Sequence, residues 1–388
     1  MLYTKQYRFV LFFLFAVVLM FFSGGCTAGK KNEEDAGLKW ADMTVTDSLE
    51  LQYAEQFTVD YYDGGYALIT IAETDRYMVI PEGMEEPEGL DADITVLKRP
   101  FDHIYLAATS AMDLIRAVDG LDFVAFSGAK EEDWYIEEAK AAMKNGDIRF
   151  AGKYNAPDFE LLLEGGCNLA VESTMILHNP EIKEQLEQVG IPVLVERSSY
   201  ENHPLGRMEW IKLYGVLLDR EQEASDFFDR QAAAVSDVLE QEETGLTVAF
   251  FYVTPNGSVN VRKSGDYVAK MIALAGGEYV FSDLEDENEN ALSTMTIQME
   301  EFYSRAKDAD YLIYNSAIDG TLPDLDALFD KSELFREFKA VRNGNVFCTE
   351  QNMFQQSTGF GDMILDIHSI LTDEDVEDDA LKYLYRLR

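Results

Sequence analysis

The chain has 388 residues and carries 72 acidic against 32 basic side chains, a formal net charge of −40. A surface of that sign repels phosphate backbones, which excludes nucleic acid as a partner. With 47% hydrophobic and 12% aromatic residues, the sequence describes a globular body with sizeable cores and not a disordered one. Such acidity concentrates cationic solutes, but keeping the surface solvated is the simpler account of it.

Taken in order, residues 1–25 read as a signal peptide. Lys5 and Arg8 give a positive start, no acid precedes Glu33, and the apolar run Phe9 to Phe22 follows. That run is shorter than the roughly 20 residues a helix needs to span hydrocarbon. No second long apolar run exists, so the N-terminus alone would hold the chain at a membrane. Ser23-Gly24-Gly25 before Cys26 resembles the lipobox of bacterial lipoproteins, in which the cysteine is acylated and becomes the new N-terminus. The departure is Ser23, where that family prefers leucine. Residues 26–37 then form a polar tether. The expected location is extracytoplasmic, lipid-anchored at the outer face of the cytoplasmic membrane. Cys167 and Cys348 are far apart and read as separate core thiols, although export permits a disulfide.

Residues 38–98 are expected to be a β-rich extension. Segments such as FTVDYYDGG, YALITIAE and RYMVIPEG are aromatic or β-branched and punctuated by Gly, Pro and Asp. From 99 to 204 strands alternate with helices. HIYLAA, DFVAFSG, NLAVEST and IPVLVE read as strands, and SAMDLIRAVDG, APDFELLLEGG and NPEIKEQLEQVG as helices. Such alternation implies βαβ units and a mostly parallel sheet. Residues 205–244 contain no internal proline and read as a bridging segment whose one long helix, Gly206 to about Gln241, would reach about 50 Å if continuous. From 245 to 388 the alternation resumes through TVAFFYV, YVAKMIALAGG, IQMEEFYSRAKD, ADYLIYN and NVFCTE, and a last helix starts near Asp362. The expected fold is α/β: two lobes with mostly parallel sheets bridged by one long helix, plus the N-terminal extension.

Several segments of residues 99–370 resemble one family. AGKYNAPDFELLLEGGCNLAVE, EIKEQLEQVGIPVLVE, EWIKLYGVLLDREQEASDFFD and SGDYVAKMIALAGGEYVF follow the order and spacing of the iron-siderophore, haem and vitamin B12 class of ABC-importer solute-binding proteins. The resemblance implies a monomeric protein that captures an iron chelate, with haem or cobalamin as alternatives. It also implies delivery to permease subunits driven by an ATPase, with no intrinsic cofactor. Binding proteins of this class carry one acid on each lobe to dock permease arginines. By local pattern those acids are Glu160 and Glu300, with Glu301 as a register alternative. Each stands in the first turn of an expected helix, where the helix dipole favours a carboxylate.

In a two-lobed α/β protein the ligand lies between the lobes, beyond the carboxyl ends of the strands. Four loops meet that condition: Thr109-Ser110, Glu172 to His178, Ser198 to Arg207, and Thr254 to Lys263. In or near them stand Tyr154, Met175, His178, Tyr200, Arg207, Tyr252, Arg262, Lys263 and Tyr267, the expected ligand-binding set, with Trp134, Tyr135 and His203 close by. Aromatics offer flat apolar contact, and arginine forks suit carboxylate or catecholate oxygens. As a group they favour an anionic or oxygen-rich ligand.

Other chemistries find little support. The four histidines have no HxH, HxxH or HExxH spacing, so capture of a bare metal would rest on His178 and His203. Haem ligation through Tyr, His or Met stays open. No GxSxG, phosphate-cradling loop or Cys/His constellation points to an enzyme, and Gly359-Phe360-Gly361 reads as a turn before the last helix. A lipoprotein that senses the same ligand is the third alternative.

Overall fold

The computed structural model describes residues 38–284, 294–373 and 376–388. The expected signal peptide, Cys26 and the tether lie outside the described residues.

Strands β1 (Val45–Ser48), β2 (Phe57–Tyr62), β3 (Tyr66–Ile71), β4 (Asp75–Ile80) and β5 (Ile94–Lys98) form one sheet in that order. All pairs are antiparallel except β4–β5. Alternation decides its two faces. Phe57, Val59, Ile69 and Ile71 enter the main core, whereas Tyr62, Tyr66, Leu68 and Met78 close a small cluster with Trp40 and Met43. A sheet with apolar side chains on both faces must be covered on both, so the extension packs into the molecule instead of projecting from it.

The first lobe begins with β6 (Ile104–Leu106), helix α1 (Ala111–Ala117), β7 (Val124–Ser127), α2 (Glu137–Asn145) and β8 (Arg149–Phe150). A small antiparallel pair, β9 (Gly152–Lys153) with β10 (Ala156–Pro157), leads to α3 (Phe159–Glu164), β11 (Leu169–Ser173), α4 (Pro180–Gln188) and β12 (Val193–Glu196). The sheet order is β12-β11-β6-β7-β8 and every pairing is parallel. At its edge the Val195 amide donates to the Tyr77 hydroxyl at 3.3 Å, so the extension covers the open side of β12.

The stretch 205–244 departs from the single rod expected of it. It folds as α5 (Pro204–Glu209), α6 (Ile211–Leu218) and α7 (Glu221–Leu239). Asp219 ends α6 in the left-handed region, at φ 59°, and the chain doubles back. Gly215 permits the tight hairpin: a Cβ there would stand 2.8 Å from that of Ala224 and 3.0 Å from the Arg220 carbonyl oxygen. Apolar periodicity persists through such a turn because both arms bury the same kind of face, so the pattern alone does not show the break. The bridge between lobes is α7, 19 residues and about 28 Å long. It starts beside Phe123 of the first lobe and ends with Gln231 and Val235 against Gly361 of the second.

The second lobe comprises β13 (Thr247–Val253), β14 (Val259–Arg262), α8 (Tyr267–Leu274), β15 (Glu278–Tyr279), β16 (Thr294–Ile297), α9 (Met299–Ala306) and β17 (Tyr311–Tyr314). It continues with α10 (Ser316–Asp319), α11 (Leu325–Lys331), α12 (Lys339–Asn343), β18 (Val346–Thr349), α13 (Phe360–Thr372) and β19 (Leu384–Arg386). Strands β15, β13, β17 and β18 pair in parallel, while β14, β16 and β19 add antiparallel flanks. The stretch 254–263, expected as a cleft loop, is therefore mostly a hairpin. Its turn, closed by Thr254 N to Ser258 O at 2.8 Å, is too short for a parallel crossover. Cys167 and Cys348 are both buried free thiols, one in each lobe, and burial pushes Cys167 up to about 11.

Candidate functional site: a cleft between the lobes

A cavity of about 400 Å³ opens where the carboxyl ends of the two sheets face each other. The first lobe contributes Ser110, Tyr135, Ser198, Ser199 and Arg207 to its wall. The second lobe contributes Arg262, Tyr267, Ala317, Ile318, Gln351, Phe354, Gln355, Ser357 and Phe360. A volume in that range suits a drug-sized solute.

Its wall holds a buried tyrosine, Tyr267, with Arg207 and Arg262 beside it. The Arg207 guanidinium carbon stands 3.7 Å from the Tyr267 ring centroid. Arg207 Nε donates to the Glu201 carbonyl at 2.9 Å, and Nη2 donates to that of Ser199 at 2.5 Å. Its remaining N–H groups are therefore the ones left for a solute. Burial lowers the pKa of Arg207, so an anion in the cleft would relieve a desolvated cation. Arg262 lies 4.9 Å from the Phe354 ring centroid, with Nη1 3.6 Å from the Asp266 carboxylate. Burial pushes Tyr267 up to about 12, against the opposing pull of both arginines.

Behind this wall sit buried acids with structural partners. Glu196 accepts from the Ser110 hydroxyl and the Ser198 amide, both at 2.9 Å, and burial raises its pKa. Asp266 caps α8 by accepting from the Val268 amide at 2.9 Å. Along one side the lobes are tied together. Asp113 accepts from the Thr358 amide at 2.9 Å and from its hydroxyl at 2.5 Å, and Ser357 Oγ donates to the Ser110 carbonyl at 3.0 Å. Gln355 reaches the other way, accepting from the Tyr135 amide at 2.7 Å and donating to the Asp133 carbonyl at 2.8 Å.

The structure brings together Arg207, Arg262 and Tyr267 from the sequence-derived set. Tyr200 follows the lining residue Ser199 and stacks under Arg197, at 4.6 Å from its guanidinium carbon. Met175 is exposed on the 174–178 turn that also holds His178, and Tyr154 sits in the β9–β10 turn. Tyr252 lies within β13 and packs against the core, and Lys263 follows β14. None of these line the cavity. Trp134 is core, its indole N–H donating to Ser127 Oγ at 3.2 Å, and the neighbouring Tyr135 faces the cleft instead. His203 stacks on Tyr53 at 4.6 Å, and its Nδ1 accepts from the Leu205 amide at 3.2 Å. Glu160 and Glu300 are both exposed in the first turns of α3 and α9. Sequence reading passed over the wall residues from 317–318 and 351–360. They follow β17 and β18, so the same carboxyl-end rule applied to ADYLIYN and NVFCTE would have found them.

One buried group near the end of β11 makes a testable demand. Glu172 has no exposed surface, neither carboxylate oxygen has a hydrogen-bond partner among the described residues, and burial pushes it up to about 8. A folded-state pKa above the unfolded value means the folded protein holds the proton more tightly. Stability should therefore fall as pH rises from about 4.5 through 8. In urea unfolding, Glu172→Gln is expected to gain on the native chain by roughly 2–4 kcal/mol more at pH 8 than at pH 4.5. An equal difference at both pH values would mean the carboxyl does not stay protonated in the fold.

The family described as "Periplasmic binding protein" matches residues 108–353. That span starts after the N-terminal sheet β1–β5. An uncharacterized lipoprotein of Methanocaldococcus jannaschii is 24% identical over 385 residues, covering 90% of this chain and 89% of the relative. A second uncharacterized lipoprotein of that organism is 22% identical over 355 residues, covering 87% of each chain. Among solved structures, a petrobactin-binding protein from Bacillus subtilis matches with TM-score 0.57 and 13% identity, over 71% of this chain and 94% of that one. A periplasmic haem-binding protein from Vibrio cholerae matches with TM-score 0.56 and 17% identity, over 69% and 98%. At these identities the two structures speak for the fold, and the family match speaks for descent. The chain belongs to the periplasmic binding protein family.

Proposed function

We propose that this protein captures an anionic, oxygen-rich metal chelate of the siderophore type outside the cell and hands it to an ABC permease. The supporting observation is the pair Arg207 and Arg262 flanking Tyr267 in an inter-lobe cavity, within a chain of net charge −40. Positive groups concentrated at one concave site of an acidic protein favour an anion there over any other part of the surface. Among the described residues the cavity wall holds no His, Met or Cys; its polar groups are hydroxyls, amides and guanidinia. That set suits the outer oxygens of a metal already saturated by its chelator more than ligation of an open metal. Binding without turnover is the corresponding reading, with acylated Cys26 as the membrane attachment. Among the described residues no helix is long and apolar enough to cross a membrane.

Exposed Glu160 and Glu300, one on each lobe, would dock permease arginines. Native mass spectrometry of protein purified from its iron-limited host should show a bound species of chelate mass that is lost on unfolding. Recovery of ligand-free protein only, with no fluorescence response to ferric tris-catecholate or ferric trihydroxamate chelates, would remove the proposal.

A further inference from the structure

We infer that Glu201 is a positioning residue for the cleft, through which the β extension sets the orientation of Arg207. The inference rests on the proposed role of Arg207 in binding. It begins with the backbone just before β2. Five consecutive main-chain N–H groups, those of residues 52–56, all end on two carboxylates. Glu209 accepts from Gln52, Tyr53 and Ala54 at 2.8 to 3.0 Å. Glu201 accepts from Glu55 and Gln56 at 2.9 to 3.1 Å. Both acids are buried, at 0% and 2% exposure. Charge-assisted bonds of this number hold a buried carboxylate firmly, and removing it strands the donors.

The two acids then diverge in what else they hold. Glu209 is paired with Lys212 Nζ at 2.8 Å, and Lys212 also donates to the Glu50 carbonyl at 3.0 Å. That arm only fastens the strap to the helices. Gly206 lets the strap lie close, since a Cβ there would stand 2.8 Å from the Tyr53 carbonyl oxygen. Glu201 additionally accepts from the Trp210 indole N–H at 2.9 Å. Its own carbonyl, with that of Ser199, receives the Arg207 guanidinium. The carboxylate thus fixes the 198–201 turn against the extension, and the carbonyls of that turn aim the arginine over Tyr267. Strap, turn and cleft cation form one hydrogen-bonded series. The family match begins only at residue 108, so this series joins the matched region to a part of the chain outside it.

The test uses the full mature chain carrying E201Q, with E209Q as the comparison that loosens only the fastening arm. Two readouts are taken: affinity for a ferric tris-catecholate by fluorescence, and the exchange rate of the Arg207 Nε–H by NMR, assigned through its loss in R207K. E201Q is expected to weaken chelate binding about tenfold more than E209Q and to speed Arg207 Nε–H exchange selectively. Where E201Q does not fold, E201D keeps the charge with a shorter reach and should show a smaller shift in the same sense. Equal changes in both variants, or an unchanged Nε–H exchange rate in E201Q, would overturn the inference. A native chain that binds no chelate would strike the proposed function instead, while the exchange readout still decides the role of Glu201.

Discussion

Changing Glu160 and Glu300 together to arginine is expected to abolish chelate uptake by cells while the purified protein keeps its affinity. Both side chains are exposed and stand in first helical turns, where the helix dipole favours a carboxylate. Neither lines the cavity. If each meets a permease arginine, reversal turns two attractions into two repulsions. Like-charge juxtaposition costs several kcal/mol, so transport should fall at least about a hundredfold. The measurement is uptake of a radio-iron chelate in cells, paired with fluorescence titration of the purified variant. Normal transport by the double variant would take both residues out of docking. Loss of affinity in solution would instead point to a folding defect.

The second large effect concerns the cleft itself. Arg207→Ala with Arg262→Ala is expected to weaken binding of an anionic ferric tris-catecholate at least about a hundredfold, because each desolvated cation contacting an anion contributes a few kcal/mol. A neutral ferric trihydroxamate should lose much less, and that contrast separates charge recognition from general damage. Arg207→Lys should fall between, since lysine keeps the charge but loses the planar stack on Tyr267 and the fork that grips two carbonyls. Unchanged affinity of the double variant for the anionic chelate would remove both arginines from the site.

The two effects differ in how visible they were beforehand. Glu160 and Glu300 were singled out through the family resemblance, by their places where a strand or turn runs into a helix, and that kind of local pattern is what sequence displays. Arg207 and Arg262 were singled out because they follow strands at carboxyl ends in an otherwise acidic chain. Met175, His178 and Tyr200 satisfied the same loop rule yet do not line the cavity. Loop membership says which edge of the sheet a residue occupies, not whether its side chain turns inward.

Sequence by itself determined the parallel strands β6, β7, β11, β12, β13, β17 and β18, several of the helices between them, the β-rich character of residues 38–98 and the location of the cleft at strand ends. Period and punctuation are local properties, and each residue there carries its own part of the signal. Only the tertiary structure decided that residues 205–244 turn back at Asp219, that β14 and β16 run antiparallel, and that 351–360 closes the cleft wall. It also decided that Glu201 and Glu209 are buried beneath a strap some 150 residues earlier in the chain. In sequence a glutamate looks solvated by default, because burial of a charge becomes tolerable only when distant donors converge on it.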